Sequence, residues 1–141
     1  MQESAILAPV LVQALLTFAV LILLGPARAR SMRETRTRLD DPGLANGTSP
    51  WSDRALRISN NFKNQFELPV LFYAVTAFAL ILHRADAIMI WLAWAFVATR
   101  LAHALFHVTQ NVIRARGLTF LIGAAILIAM WIRLGWRVLA A

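Results

Sequence analysis

Residues 53–82 read DRALRISNNFKNQFELPVLFYAVTAFALIL, and the change of character inside that run decides the fold. Its first half carries Arg54, Arg57, Asn60, Asn61, Lys63, Asn64 and Glu67, whereas the 15 residues from Leu68 to Leu82 carry no charge. Such a segment reads as a helix that starts in a polar interface and ends in hydrocarbon. Ser52 or Asp53 can cap its start. Pro69 need not end it, because membrane helices tolerate proline where neighbouring groups take up the freed carbonyl. One helix over 52–82 is expected.

Three further runs, 5–25, 87–107 and 117–139, are each about 20 residues long and can cross a hydrocarbon core about 30 Å thick. Ala27-Arg28-Ala29 loosely resembles a signal-peptidase site. Glu3 and the lack of Lys or Arg ahead of the first run oppose a cleaved leader, so that run is read as a retained helix. The chain has 141 residues, of which 60% are hydrophobic and 15% charged. That balance excludes a disordered chain and argues against a water-soluble domain. There is no cysteine, which excludes disulfides, thiolate metal sites and cysteine nucleophiles.

A net charge of +7 raises the question of nucleic acid. The arginines, however, cluster between apolar runs rather than on a solvated face, so nucleic acid is not an expected partner. Arg28, Arg30, Arg33, Arg36 and Arg38 fall in the connection 26–50, and Arg114 and Arg116 precede the fourth run. The short turn between runs two and three has Arg84 offset by Asp86. The positive-inside rule then puts both arginine-rich connections in the cytoplasm and both termini outside. Asn46-Gly47-Thr48 matches a glycosylation sequon, but on the cytoplasmic side the match reads as chance. The expectation is a single all-α transmembrane domain over 1–141: a multi-pass, up-down bundle of four helices.

Ionisable groups inside a membrane are functional candidates by default, because each costs at least about 2.5–3.5 kcal/mol at the bilayer centre. The second helix presents Arg57, Asn60 (or Asn61 beside it), Asn64 and Glu67, and the third presents Arg100, His103 and His107. Spacings of three and four put each set on one face. The two helices run antiparallel about the turn near His83, so Glu67 and Arg100 both lie roughly 25 Å from it at 1.5 Å per residue. Glu67 is therefore expected to meet Arg100, Asn64 to lie level with His103, and Asn60 with His107. One carboxylate against Arg57, Lys63, Arg100, Arg114 and Arg116 leaves an excess of positive charge. Cations with amides and imidazoles beside them suit a small anionic ligand bearing carboxylates and amide groups. The alternative is that Glu67 and Arg100 merely neutralise one another and lock two helices together. His103 and His107 have metal-ligand spacing, but no second carboxylate supports them and no metal is assigned.

The run Arg57-Ile-Ser-Asn60-Asn-Phe-Lys63-Asn64-Gln-Phe-Glu67-Leu-Pro69-Val-Leu-Phe72 resembles the signature of the MAPEG family, the membrane-associated proteins of eicosanoid and glutathione metabolism, in which an Asn-x-x-Glu on helix two is followed by proline and aromatics. Arg100-Leu-Ala-His103 resembles the Arg-x-x-His of its third helix. Arg116 falls at the spacing after His103 where those enzymes carry an arginine that acts on the glutathione thiol. The resemblance implies a homotrimer with glutathione bound between subunits near the cytoplasmic side. Asn64, Glu67, His103 and Arg116 would contact it, Glu67 taking its amino group. Lys63 stands where several members have arginine, and Arg30 or Arg28 would be the arginine that approaches from the first loop. Two family tyrosines are replaced by His107 and Phe120, and a serine by Gly117.

The resemblance thus implies a glutathione-dependent transferase or peroxidase for lipophilic electrophiles, with Arg116 as the catalytic residue and membrane lipid as its surroundings. The missing tyrosines favour instead a non-catalytic member that binds a lipid or a partner protein. A proton-coupled exporter built on Glu67 is a weaker alternative, since the surrounding cations would keep that carboxylate ionised. In a bacterium the expected home is the inner membrane.

Overall fold

The computed structural model describes residues 3–48, 51–108 and 113–140. A single 3-10 turn, Glu3–Ile6, leads into α1 (Leu7–Thr35). A short α2 (Pro42–Asn46) follows, then α3 (Asp53–Asn64), α4 (Leu68–Ile81), α5 (Ala87–Val108) and α6 (Ile113–Leu139). Four stretches are long and apolar enough to cross a membrane: Ser4–Thr35, Asp53–Ile81, Ala87–Phe106 and Arg114–Leu139. α5 packs against α1, α3 and α6, while α4 packs against α6. The core between them holds Phe72, Val75 and Ala79 of α4, Met89, Ala93, Phe96 and Val97 of α5, and Leu127, Met130 and Leu134 of α6. Phe72 and Phe96 stack at 4.6 Å between ring centroids. α5 and α6 approach closely at Gly123, where a Cβ would come 2.8 Å from Thr99 Oγ1.

Large apolar side chains also cover the outside. Leu11, Leu15 and Ile22 of α1 and Ile132 of α6 are each more than 60% exposed on the chain by itself. A water-soluble monomer does not carry such continuous apolar faces, whereas lipid covers them without penalty.

Two expected boundaries are corrected. The connection 26–50 is not all loop, because α1 runs ten residues past Gly25 to Thr35 with Pro26 inside it. Ala27, Arg28, Ala29, Arg30, Met32 and Arg33 are strong helix formers, and Arg30 donates to Glu34 one turn on at 2.8 Å. These outweigh one missing backbone bond. Nor is 52–82 one unbroken helix: residues 65–67 leave helical geometry between α3 and α4. Pro69 has no N–H for the Gln65 carbonyl and its ring crowds that group. Ser52 is the residue ahead of α3, but its side chain makes no capping bond. Its backbone N–H instead donates to the buried Ser31 Oγ at 2.7 Å, which pins the start of α3 to α1.

The turn from α4 to α5 is closed at both sides. His83 takes a left-handed conformation (φ 53°), and the N–H groups of His83 and Arg84 donate to the Leu80 and Ala79 carbonyls. This pairing of the last two turns ends α4 as glycine usually does. Asp86 then caps α5 by accepting from Met89 N at 2.9 Å, and it also accepts both nitrogens of a guanidinium fork from Arg133 of α6. The hydrogen bond from Arg133 holds the Asp86 carboxyl below the ordinary carboxylate range; burial opposes this, and the Met89 bond reinforces it. A carboxyl whose folded pKa is depressed stabilises the fold above its unfolded pKa, and that stability is lost as pH falls through the folded value. The melting temperature in detergent is therefore expected to fall below about pH 4 through this group. Asp86→Asn should remove that part of the fall and lower stability at neutral pH by about 1 kcal/mol.

Candidate functional site

The site begins at the break in the second span. Without a continuous helix, the Asn64 carbonyl needs another donor, and Arg100 Nη2 supplies it at 2.9 Å from α5. Arg100 is fully buried, and its Nε and Nη1 have no hydrogen-bond partner among the described residues. The negative charge of Glu67 acts on it through space, but the Glu67 side chain itself lies at the surface of the single chain. Of the expected meeting of Glu67 with Arg100 the structure shows this action through space, while the hydrogen bond from Arg100 goes to the main chain of the break.

Asn64 and His103 lie level, as the antiparallel register requires, with Asn64 Nδ2 3.2 Å from His103 Nε2. On its other side His103 Nδ1 faces the Arg116 carbonyl at 3.1 Å and Thr119 Oγ1 at 3.2 Å. A carbonyl only accepts, so Nδ1 carries the proton and Nε2 accepts from the Asn64 amide. The Thr119 hydroxyl donates to the carbonyls of Ala115 or Arg116 and keeps a lone pair for the imidazole. His103 is consequently a connector joining α3, α5 and α6.

Asn64, His103 and Arg116 line one open cavity of about 390 Å³ together with Gly117, Phe120 and Leu121. Three helices thus bring an amide, an imidazole and a guanidinium to one place, with an apolar wall opposite. Phe120 occupies the wall where the family hydroxyl is expected. Arg30 and Arg57 do not reach this cavity. They line a separate one of about 540 Å³ between α1 and α3, together with Glu34, Asp53 and Arg54. Arg28 is engaged elsewhere, donating to Ser59 Oγ at 3.2 Å and lying 5.6 Å from the Trp51 ring centre.

Of the two neighbouring asparagines, Asn60 is exposed on the single chain and Asn61 is buried, because Ala55, Ile58, Asn61 and Gln65 form the inward face at spacings of three and four. One residue turns a helix by about 100°, enough to exchange the two. Lys63 is exposed beside Asn64. His107 is on α5, but its side chain lies outside the described residues. Sequence reasoning missed Gln65 and Thr119. Gln65 follows Asn61 by one turn, which was the available signal; nothing in the spacing pointed to Thr119. No group of three or more His, Asp or Glu side chains is placed to hold a metal ion among the described residues.

A family model matches residues 6–136, a span that contains every residue of the candidate site. The chain belongs to the MAPEG family. No curated protein and no solved structure matches it. As a MAPEG member with four apolar helices of crossing length, it is an integral membrane protein. In this MAPEG protein the Asn-x-x-Glu signature straddles the helix break, and the Arg-x-x-His signature supplies the two side chains that hold that break in place.

Proposed function

We propose that this MAPEG protein is a glutathione-dependent transferase or peroxidase for lipophilic electrophiles. The observation that carries this reading is the convergence of Asn64, His103 and Arg116 on one cavity with an apolar wall. Glutathione supplies a thiol, two carboxylates and an ammonium, and the donor set suits it: guanidinium and amide groups for its carboxylates and peptide bonds, Glu67 for its ammonium. A free thiol has a pKa near 8.5, and a cation beside it lowers that value. Arg116 is the cation on the cavity wall, so its role is to hold the sulfur as thiolate. In transfer, that sulfur bonds to the electrophilic carbon while the leaving group departs with its bonding pair. His103, engaged on both nitrogens, positions Asn64 and Arg116 rather than relaying a proton.

Arg30 and Arg57 enter the same reading through assembly. On the single chain they face away from the cavity, on the α1–α3 side. In a homotrimer that side of one subunit would adjoin the α3–α6 side of the next, and the two cavities would become halves of one site. Asn60, Lys63 and Glu67, exposed between them, would then face the ligand. The arginine-rich end would lie in the cytoplasm, where glutathione is present, and the electrophile would arrive from lipid past Leu121. A second reading, a non-catalytic binder, is favoured by Phe120 at the wall, where no hydroxyl is offered to a thiol.

The experiment is conjugation of a chlorinated nitrobenzene by purified protein, comparing glutathione with 2-mercaptoethanol. Saturable turnover with glutathione alone is the expected result. Rates no higher than the spontaneous reaction with either thiol would remove the transferase assignment, and glutathione binding without turnover would leave the binder.

A further inference from the structure

α1 gives no side chain to the 390 Å³ cavity, yet it sends one amide into the protein interior. Gln13 is fully buried and donates through Nε2 to Gln65 Oε1 at 3.0 Å. Gln65 Nε2 in turn donates to Asn61 Oδ1 at 3.2 Å, and Asn61 Nδ2 reaches the Ala104 carbonyl of α5 at 3.4 Å. The result is a ladder of three buried amides crossing from α1 through α3 to α5, one residue from Asn64. It passes through the break itself, since Gln65 is the first residue beyond α3 and the one whose backbone carbonyl Pro69 leaves without its helical donor.

This ladder is a poor source of stability. Gln13 Oε1 has no partner among the described residues, and burying amides gains little over filling the same space with carbon. What a directional ladder does supply is a unique geometry, because three side chains satisfy one another in only one arrangement. We infer that Gln13 and Gln65 are positioning residues: they fix the angle of the α3–α4 break and thereby hold Asn64 and Glu67 in place for the ligand. The inference rests on the glutathione reading for its ligand but not for its geometry. Through it, α1 is coupled to a cavity it does not touch.

The test compares wild type, Gln13→Leu, the double variant Q13L/Q65L and the control Val20→Ala, all as full-length protein in detergent. Amide hydrogen exchange over residues 64–68, melting temperature and glutathione affinity are measured on each. Each glutamine variant leaves one buried amide oxygen without its donor, Gln65 Oε1 in Gln13→Leu and Asn61 Oδ1 in the double variant, so each should melt somewhat below wild type. In both, exchange at 64–68 should quicken and glutathione affinity should drop, each by about tenfold. Val20→Ala, which opens space under a buried α1 side chain, should lower the melting temperature and leave 64–68 unchanged. Unchanged exchange at 64–68 in both glutamine variants would overturn the positioning role. Absence of glutathione binding by wild type would overturn the functional reading alone, since the exchange measurement does not depend on it.

Discussion

Arg116→Ala is expected to lower kcat/KM for glutathione conjugation by about 10²-fold or more while the protein still folds and assembles. Arg116 lines the cavity, and the bond that orders His103 comes from its backbone carbonyl, which alanine retains. Loss of the guanidinium therefore removes charge at the cavity while keeping this link between α5 and α6. The pH dependence separates this from a general loss of binding. On the proposed reading Arg116 would hold the sulfur ionised below its ordinary value of about 8.5, and turnover would persist at lower pH. In the alanine variant the rising limb of the pH–rate profile should move upward toward that value. Arg116→Lys should recover part of the rate, keeping the charge but losing the planar fork. A profile that does not move, with the rate lost, would make Arg116 a binding group only.

The second large effect is on the fold. Arg100→Met should destabilise the protein by about 1–3 kcal/mol, because the half-buried Asn64 carbonyl loses its donor. The loss is limited from above: Arg100 leaves two of its own nitrogens without partners among the described residues, so burying this guanidinium already carries a cost that methionine does not. Pro69→Ala supplies the test of cause. Alanine restores an N–H opposite the Gln65 carbonyl and lets residues 65–67 return toward helix, where the Leu68 N–H can take the Asn64 carbonyl. Arg100→Met with Pro69→Ala should therefore melt at a higher temperature than Arg100→Met alone. The same double variant should bind glutathione no better, since straightening the break turns Asn64 and Glu67 away from their places. Melts in detergent by circular dichroism measure the first, and calorimetric titration the second.

Much of the architecture was legible in the amino-acid order, for reasons that particular residues make plain. Four apolar runs announce four spans because hydrocarbon thickness sets a length. Asn64 and His103 were placed level because a short turn around His83 fixes the register of two antiparallel helices, and a rise of 1.5 Å per residue does the rest. What escaped was whatever depends on angle rather than length. Asn60 and Asn61 differ by one step of the helix, and only packing against α5 shows which faces inward. Pro26 and Pro69 look alike in sequence, yet α1 continues through the first and the chain breaks before the second. The difference lies in the neighbours. Arg100 stands ready to take the carbonyl freed near Pro69, and the amides of Gln13, Asn61 and Gln65 make an off-helix geometry tolerable there. Arg30 and Arg57 shared the right charge and roughly the right depth with Arg116, but they belong to another face of the chain, which no one-dimensional spacing reports.

The most direct test of the central claim is a titration of the purified protein with glutathione at neutral pH, followed by the ultraviolet absorbance of the thiolate. A saturable thiolate signal that disappears in Arg116→Ala is the result expected if the cavity of Asn64, His103 and Arg116 receives the tripeptide and ionises its sulfur. A titration in which no thiolate forms at any glutathione concentration, with wild type and Arg116→Ala superimposed, would contradict it.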